Sequence, residues 1–472
     1  MHAETGIEEI EQRLAELERL GLSRRLRLVS GPQGPTVLLD GKPVLLLCSN
    51  NYLGLADHPK VREAAADAAM RWGVGAGASR LISGTMTVHR RLEERLAAFA
   101  GRQACLLFGS GYLANLGVIG ALASAGDTVF SDQLNHASII DGCRLSRAEV
   151  VVYRHRDAEH LLWCMRRHGG RRDGKRRSLV VTDSIFSMDG DIAPLEEIIE
   201  LAHAFDARVA VDEAHAIGTF GADGRGVLAD AGLEGEVDAI VGTLGKSLGS
   251  YGAYVCADEA TIRYMLNTAR SLIFSTAPSP PAAAGALAAL ELLEERPHRV
   301  DRLASNARAL RRSLANEGFA VAEDDMHIVP LIVGGQRETM RLCQAALEQG
   351  VFAQAIRPPT VPAGSSRLRL TAMASHTASD MRLAGGVLAE AARKLGLDPR
   401  EMGTPPGEPE APQQPQADGE LEAPSELHAP IASHQAPFDI EQPRPRRPPA
   451  PVASSDGAPF DGERESTVAH AA

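Results

Sequence analysis

Three short apolar runs in this chain end in residues able to do chemistry. Val180-Val181-Thr182 leads into Asp183-Ser184, and Val209-Ala210-Val211 into Asp212-Glu213-Ala214-His215. Ile240-Val241-Gly242 leads into Thr243-Leu244-Gly245-Lys246-Ser247. If the runs are strands of one parallel sheet, their polar ends converge on the edge where such sheets bind ligands. Lys246 stands among small residues that leave room for a bulky planar group. A lysine with restricted water access loses its proton more readily and becomes an amine nucleophile. A Schiff-base lysine with a partner carboxylate is the signature of pyridoxal phosphate, and Asp212 supplies the carboxylate. Taken alone, a strand-end aspartate reads as a turn or a helix cap; His215 and Lys246 shift the balance towards chemistry.

Two competing glycine motifs fail. Gly245-Lys246-Ser247 looks like the end of a P-loop, but the position that a P-loop reserves for its first glycine is Ile240. Gly73–Ala78 mimics a dinucleotide fingerprint but follows the helical run Val61–Trp72 instead of a strand. Gly109-Ser110-Gly111-Tyr112 does follow an apolar strand, Cys105–Phe108, and opens a helix. Free amides at a helix start form an anion site, so Gly111 and Tyr112 are candidate phosphate binders.

The elements that must position these residues alternate along the chain. Strands are expected at Ala104–Phe108, Thr128–Ser131, Val150–Tyr153, Leu179–Thr182, Val209–Val211 and Ala239–Val241, each followed by room for a helix. That rhythm predicts an α/β fold, a mostly parallel sheet with helices on both faces. An amphipathic helix is expected from residue 7 to about 28, a short apolar segment at Val44–Cys48 and an Ala/Leu-rich helix at Pro280–Glu295. The expected organisation is an N-terminal segment 1–55, a large domain 56–295, a small α+β domain 296–396 and a tail 397–472. Half of the 28 prolines fall after residue 400. Such a composition cannot bury enough apolar surface to offset its ordering entropy, so the tail is expected to be disordered and dispensable for chemistry.

Bulk properties exclude several classes. The net charge of −12 argues against general nucleic-acid binding. No apolar run approaches a membrane span, and the start, MHAETGIEEIEQRL, lacks the pattern of a secretory signal, so a cytoplasmic location is expected. The six cysteines form no C-x-x-C pair, and no metal site is expected. A basic cluster from Arg166 to Arg177 reads as a solvated loop, with docking of an acidic carrier as the sharper alternative.

Five segments together resemble the α-oxoamine synthase family of fold-type I pyridoxal-phosphate enzymes: Asn50–Leu55, Asn135–Ser138, Phe186–Asp191, Asp212–His215 and Gly242–Lys246. The likeness spans about residues 5 to 390. It departs from the family pattern at Tyr112, where phenylalanine is common, and at Glu213, where aspartate is common. The resemblance implies a cytoplasmic homodimeric acyltransferase with pyridoxal 5'-phosphate as cofactor. Lys246 would carry the Schiff base and move protons, Asp212 would pair with the pyridine nitrogen, and His136 would stack on the ring. His215, Ser184 and Thr243 would complete the cofactor shell with Gly111 and Tyr112. Ser275 or Thr276 would reach the cofactor phosphate of the other subunit. Arg357 would bind the amino-acid carboxylate, with Thr360 and Arg24, or its neighbour Arg25, also on the substrate. Within the family, Ile356–Gly364 followed by Arg367-Leu368-Arg369 points to a member that joins L-alanine to a pimeloyl thioester in biotin biosynthesis. The carrier is left open between coenzyme A and acyl carrier protein, and glycine acetyltransferase chemistry is the nearest alternative.

Overall fold

The computed structural model describes residues 2–169 and 176–403. Part of the basic cluster, residues 170–175, and the proline-rich tail from residue 404 lie outside the described residues. Strands β1 (Val29–Ser30), β2 (Thr36–Leu39) and β3 (Lys42–Leu46) come first. Then follow β4 (Ala104–Phe108), β5 (Thr128–Asp132), β6 (Glu149–Tyr153), β7 (Ser178–Asp183), β8 (Arg208–Asp212), β9 (Ala239–Thr243) and β10 (Ala253–Ala257). The last four are β11 (Ile328–Gly334), β12 (Val351–Phe352), β13 (Gln354–Ile356) and β14 (Ser366–Thr371).

Strands β4 to β10 form one seven-stranded sheet in the order β4-β10-β9-β8-β7-β5-β6. β6, β5, β7, β8 and β9 run parallel. β10, which the sequence pattern did not reveal, is inserted antiparallel to both β9 and β4. Side chains alternate between two cores, as the pleat of a strand requires. Cys105 and Leu107 of β4 enter one core with helices Pro59–Trp72, Thr87–Phe99 and Pro280–Glu295, while Leu106 and Phe108 enter the other with helix Gly111–Leu122. Because both faces are covered, these strands read as apolar runs instead of alternating ones.

A third core joins β2 and β3 to β11, β12 and β14 and to helices Gln336–Glu348 and Ala378–Lys394. β3 pairs in parallel with β12, which ties the N-terminal strands to the C-terminal part of the chain. Helix His298–Asn316 serves two cores, with Val300, Leu303 and Ala307 in one and Leu310 and Leu314 in the other. The first helix is shorter than its periodicity suggested. It ends at Arg19, where Gly21 takes a left-handed φ of 68° and Leu22 N–H closes onto the Leu17 carbonyl.

The described chain ends in contact with the core. Met402 is buried, and Gly403 exchanges both backbone hydrogen bonds with Ile332 of β11. A chain cut at residue 398 is therefore expected to lose about 2–5 kcal/mol, the range for removing a buried methionine-sized side chain. One cut at residue 408 is expected to keep the full chain's melting temperature and turnover. Thermal denaturation and steady-state assays of the two truncations check this.

Candidate active site

Parallel register delivers the first two groups. Asp183 at the end of β7 lies opposite Asp212 at the end of β8. The Asp212 carboxylate accepts from Asn115 Nδ2 at 2.7 Å and from the Ala214 amide at 2.8 Å. Asn115, from helix Gly111–Leu122, also donates to Ser138 Oγ at 2.9 Å. Asp183 accepts from the His136 amide at 2.7 Å. Burial, reinforced by the Asp212 charge, pushes the Asp183 pKa far above the ordinary carboxylate range. Asn135 stitches its segment to β7, donating to the Val181 carbonyl and accepting from the Asp183 amide, both at 2.9 Å. Ser184 is fully buried, its amide and hydroxyl both donating to the Asp212 carbonyl.

The lysine loop is shaped by close packing. A Cβ on Gly242 would lie 2.3 Å from the Tyr254 ring, so β9 admits only glycine there. Leu244 N–H bonds to the Gly252 carbonyl, and Gly249 N–H to the Lys246 carbonyl. Gly249 turns with φ of 59°, and a Cβ there would lie 2.3 Å from the Ala56 amide nitrogen. Lys246 Nζ is thereby set 2.8 Å from His215 Nε2, and His215 Nδ1 lies 2.8 Å from the Tyr52 hydroxyl. Desolvation lowers the Lys246 pKa to about 8; Asp212 and Asp183 pull it back up, and Arg369 pulls it down. The His215 pKa falls well below the ordinary histidine value through burial and then through the Lys246 charge. Its ring is neutral, and Nε2 accepts from the lysine.

Arg369 is the group that sequence reasoning left without a role. It sits in β14, and its buried guanidinium donates through Nε to the Ser187 carbonyl. Nη1 donates to Asn50 Oδ1 at 3.2 Å, and Nη2 to the Tyr52 hydroxyl at 3.1 Å. Arginine has five N–H donors in a fixed plane. Three are used, which leaves one on each terminal nitrogen, the fork that grips a carboxylate. No carboxylate of the described residues lies within ion-pair distance of Arg369, whereas Arg367, two residues away on the same strand face, pairs with Asp189. The signal in the sequence was the alternation of Arg367-Leu368-Arg369 on a strand, which puts both arginines on one side.

This constellation of a desolvated lysine, a strand-end carboxylate and a buried histidine on a mostly parallel sheet meets a matching family model. The model for aminotransferase class I and II matches residues 42–387. The chain belongs to the aminotransferase class I and II family. Within it, the chain is 50% identical over 388 residues to an 8-amino-7-oxononanoate synthase of Geobacter metallireducens, covering 82% of this chain and 98% of that protein. An 8-amino-7-oxononanoate synthase of Lysinibacillus sphaericus is 44% identical, covering 81% of this chain and 98% of the relative. Among solved structures, a serine palmitoyltransferase from S. paucimobilis with a bound PLP–myriocin aldimine matches with a TM-score of 0.78 and 34% identity, covering 83% and 98% of the two chains. An 8-amino-7-oxononanoate synthase from Francisella tularensis matches with a TM-score of 0.64 and 25% identity, covering 75% and 99%.

In this aminotransferase-family chain the remaining expected site residues fall into three groups. His136 belongs with the lysine cluster. Its ring is open to solvent on one side, its Nδ1 lies 2.7 Å from Ser138 Oγ, and desolvation by the cleft lowers its pKa, with Asp212 opposing and Lys246 adding. Thr243 ends β9, and its hydroxyl binds the Gly252 carbonyl and the Gly245 amide. Gly111 and Tyr112 start their helix, so their amides have no acceptor inside it. The Tyr112 hydroxyl is bonded outward, to Asp141. Arg24, Arg357 and Thr360 gather elsewhere. Arg357 is buried and donates to the Ser23 carbonyl, its pKa lowered by burial and by Arg24. Thr360 is exposed, with its amide on the Arg357 carbonyl. Among the described residues no hydrogen bond or ion pair links these three to Lys246 or Asp212. Ser275 and Thr276 lie on a separate segment, where Thr276 forms a bridge with Ser79.

The depressed lysine pKa has a direct consequence. In cofactor-free protein the Lys246 amine loses its proton near pH 8 instead of above 10, so acylation of this residue by an amine-directed reagent is expected to be half-maximal near pH 8. Asp212 favours the ammonium form, so Asp212→Asn is expected to move that midpoint lower. Peptide mass mapping of label on Lys246 against pH measures both.

Proposed function

We propose that the chain condenses L-alanine with a pimeloyl thioester to give 8-amino-7-oxononanoate, carbon dioxide and the free thiol, a step of biotin biosynthesis. The cofactor is pyridoxal 5'-phosphate, and the donor set fits it. A half-buried, desolvated amine with a lowered pKa, a carboxylate fixed by Asn115 and the free amides at Gly111 and Tyr112 match its aldehyde, its ring nitrogen and its phosphate in kind. When bound, the cofactor supplies an aldehyde for imine formation and a ring that takes up the electron pair released at the substrate α-carbon.

The residues then divide the work. Lys246 would anchor the cofactor through its amine and, once displaced by alanine, would move the α-proton. Asp212 would keep a proton on the ring nitrogen, His136 would pack on the ring, and His215, held by Tyr52, would serve the ring oxygen. Ser184 and Thr243 would complete that shell. The α-carbon forms a bond to the thioester carbonyl and the thiol leaves. The alanine carboxylate departs as carbon dioxide, the α-carbon regains a proton, and Lys246 releases the product.

The observation that carries the reading is Arg369, a buried guanidinium with two free donors and no carboxylate partner among the described residues, joined through Tyr52 and His215 to Lys246. A buried unpaired charge is costly, and an α-carboxylate would complete it. Orienting that carboxylate would select which bond at the α-carbon breaks. The family resemblance implied Arg357 for this role. Its position beside Arg24 suits the acyl substrate instead, with Thr360 nearby. Arg369→Lys is expected to raise the KM for alanine at least tenfold with little change for the thioester, and Arg357→Ala the reverse. Product mass analysis with alanine against glycine, and with pimeloyl against acetyl thioesters on both carriers, tests the reaction itself. Exclusive use of glycine and an acetyl thioester would overturn it.

The working unit of this reading is a homodimer. Met70, Val74, Ile82, Tyr251 and Phe274 are large, apolar and exposed, and the Ser79–Thr276 bridge joins two of the segments that carry them. Exposed apolar patches of this kind mark protein contacts. A second copy covering them would bring Ser275 or Thr276 to its neighbour's cofactor phosphate. Sedimentation is expected to show a dimer that dissociates at higher concentration without cofactor than with it, because a ligand stabilises the state that binds it. A fully active monomer would defeat this assignment.

A further inference from the structure

The loop Phe186–Asp191 is the joint between the large sheet and Arg369. On one side its Ser187 carbonyl accepts from Arg369 Nε, and its Met188 carbonyl and Asp189 carboxylate accept from Arg367. The loop is closed on itself, with Phe186 N–H on the Asp191 carbonyl and Gly190 N–H on the Phe186 carbonyl. It also has no slack against β11, since a Cβ on Gly190 would lie 2.7 Å from the Ile328 carbonyl oxygen.

The other side is held at Asp191 by a histidine, with an arginine beside it. His155, just beyond β6, lies between two carboxylates: Nδ1 is 2.9 Å from Asp132 Oδ1, and Nε2 is 2.9 Å from Asp191 Oδ2. Both partners are acceptors, so both ring nitrogens must carry hydrogen, and the ring is an imidazolium. Desolvation works against that charge, but the two hydrogen bonds outweigh it and raise the pKa to about 9. Asp132 is itself immobile. It ends β5, is fully buried and accepts from the amides of Leu134 and Arg156 at 2.8 and 2.9 Å. Phe186 packs edge-on against the His155 ring at 4.4 Å, and Arg156 adds a 3.2 Å contact to Asp191.

We infer that His155 is a positioning residue for the substrate-carboxylate site: by clamping Asp191 to Asp132 it fixes the Phe186–Asp191 loop, whose Ser187 carbonyl aims the Arg369 guanidinium. The inference rests on the reading of Arg369 as the carboxylate-binding group. A guanidinium is a planar fork, so a small shift of the carbonyl bonded to Nε rotates the two free donors away from a bidentate fit. His155 touches neither substrate nor cofactor in this scheme, and its effect is confined to the amino-acid side of the reaction.

The test is a set of holoenzyme variants: His155→Gln, Asp191→Asn, Arg369→Lys and the double variant His155→Gln/Arg369→Lys. For each, the KM values for alanine and pimeloyl thioester, kcat, the alanine dissociation constant from calorimetry and the melting temperature are measured. The expected result for His155→Gln is a rise of about tenfold in the alanine KM and dissociation constant, with the thioester KM within twofold of wild type. In the Arg369→Lys background the same change is expected to add less than twofold, because residues acting through one contact are not additive. A merely structural role would lower the melting temperature and leave the alanine constants unmoved. That outcome, or a full additional tenfold loss in the double variant, overturns the inference while the Arg369 reading stands. Wild-type alanine constants in Arg369→Lys itself would sink that reading and the inference with it. Should His155→Gln not fold, Asp191→Asn cuts the same clamp from the loop side with a near-isosteric change and is judged by the same constants, singly and with Arg369→Lys.

Discussion

Asp183 and Asp212 end adjacent parallel strands in register, so two buried carboxylates lie side by side. Two anions this close cannot both be ionised cheaply in a desolvated place. The fold resolves the conflict asymmetrically. Asp183 is buried and pushed up towards its protonated form, while Asp212 receives the Asn115 amide and a backbone N–H. Lys246 and His215 are set by the same field. The lysine amine is drawn down to about 8 by desolvation, with the carboxylates limiting the drop, and burial, aided by the lysine charge, keeps His215 neutral. An amine that is free to react near neutral pH is thus a property of the sheet edge more than of the lysine.

The second requirement is to bring a cation from another sheet into that field. Arg369 lies on β14, which belongs to a three-stranded sheet with its own core. Three donors tie it to Ser187, Asn50 and Tyr52, residues from two distant parts of the chain. Tyr52 is where the lines meet, because its hydroxyl reaches Asn50, His215 and Arg369 together. A chain from the arginine to the lysine therefore runs through buried hydrogen bonds, with each member's position dependent on its neighbour's. Buried polar networks of this kind are rigid when fully satisfied.

The comparisons divide between sequence and shape. The relatives alike in sequence are 8-amino-7-oxononanoate synthases, whereas a serine palmitoyltransferase shares the fold. A shared scaffold with different substrates is the expected behaviour of a fold whose core chemistry belongs to the cofactor. Arg24 and Arg357 lie beside one another, and among the described residues neither they nor Thr360 bond to Lys246 or Asp212.

Much was legible in the chain itself. The parallel strands were readable because burial on both faces makes them continuous apolar runs, and the residues directly after them had to lie on the ligand edge. Asp212, His215 and Lys246 follow from that rule, and the failure of the P-loop spacing removed the main rival. Three things were not legible. β10 is antiparallel and joined to β9 through the Lys246 loop, so it breaks the strand–helix rhythm. The first helix stops at Arg19, well before the end of its apolar periodicity, because Gly21 terminates it through a left-handed backbone turn. The role open to Arg369 depends on which donors are already taken and which charges lack partners, and spacing along a chain contains neither. Local pattern and strand chemistry determined the sheet and the reactive amine. Only tertiary packing decided which arginine faces that amine, because a guanidinium's free donors are fixed by neighbours distant in sequence.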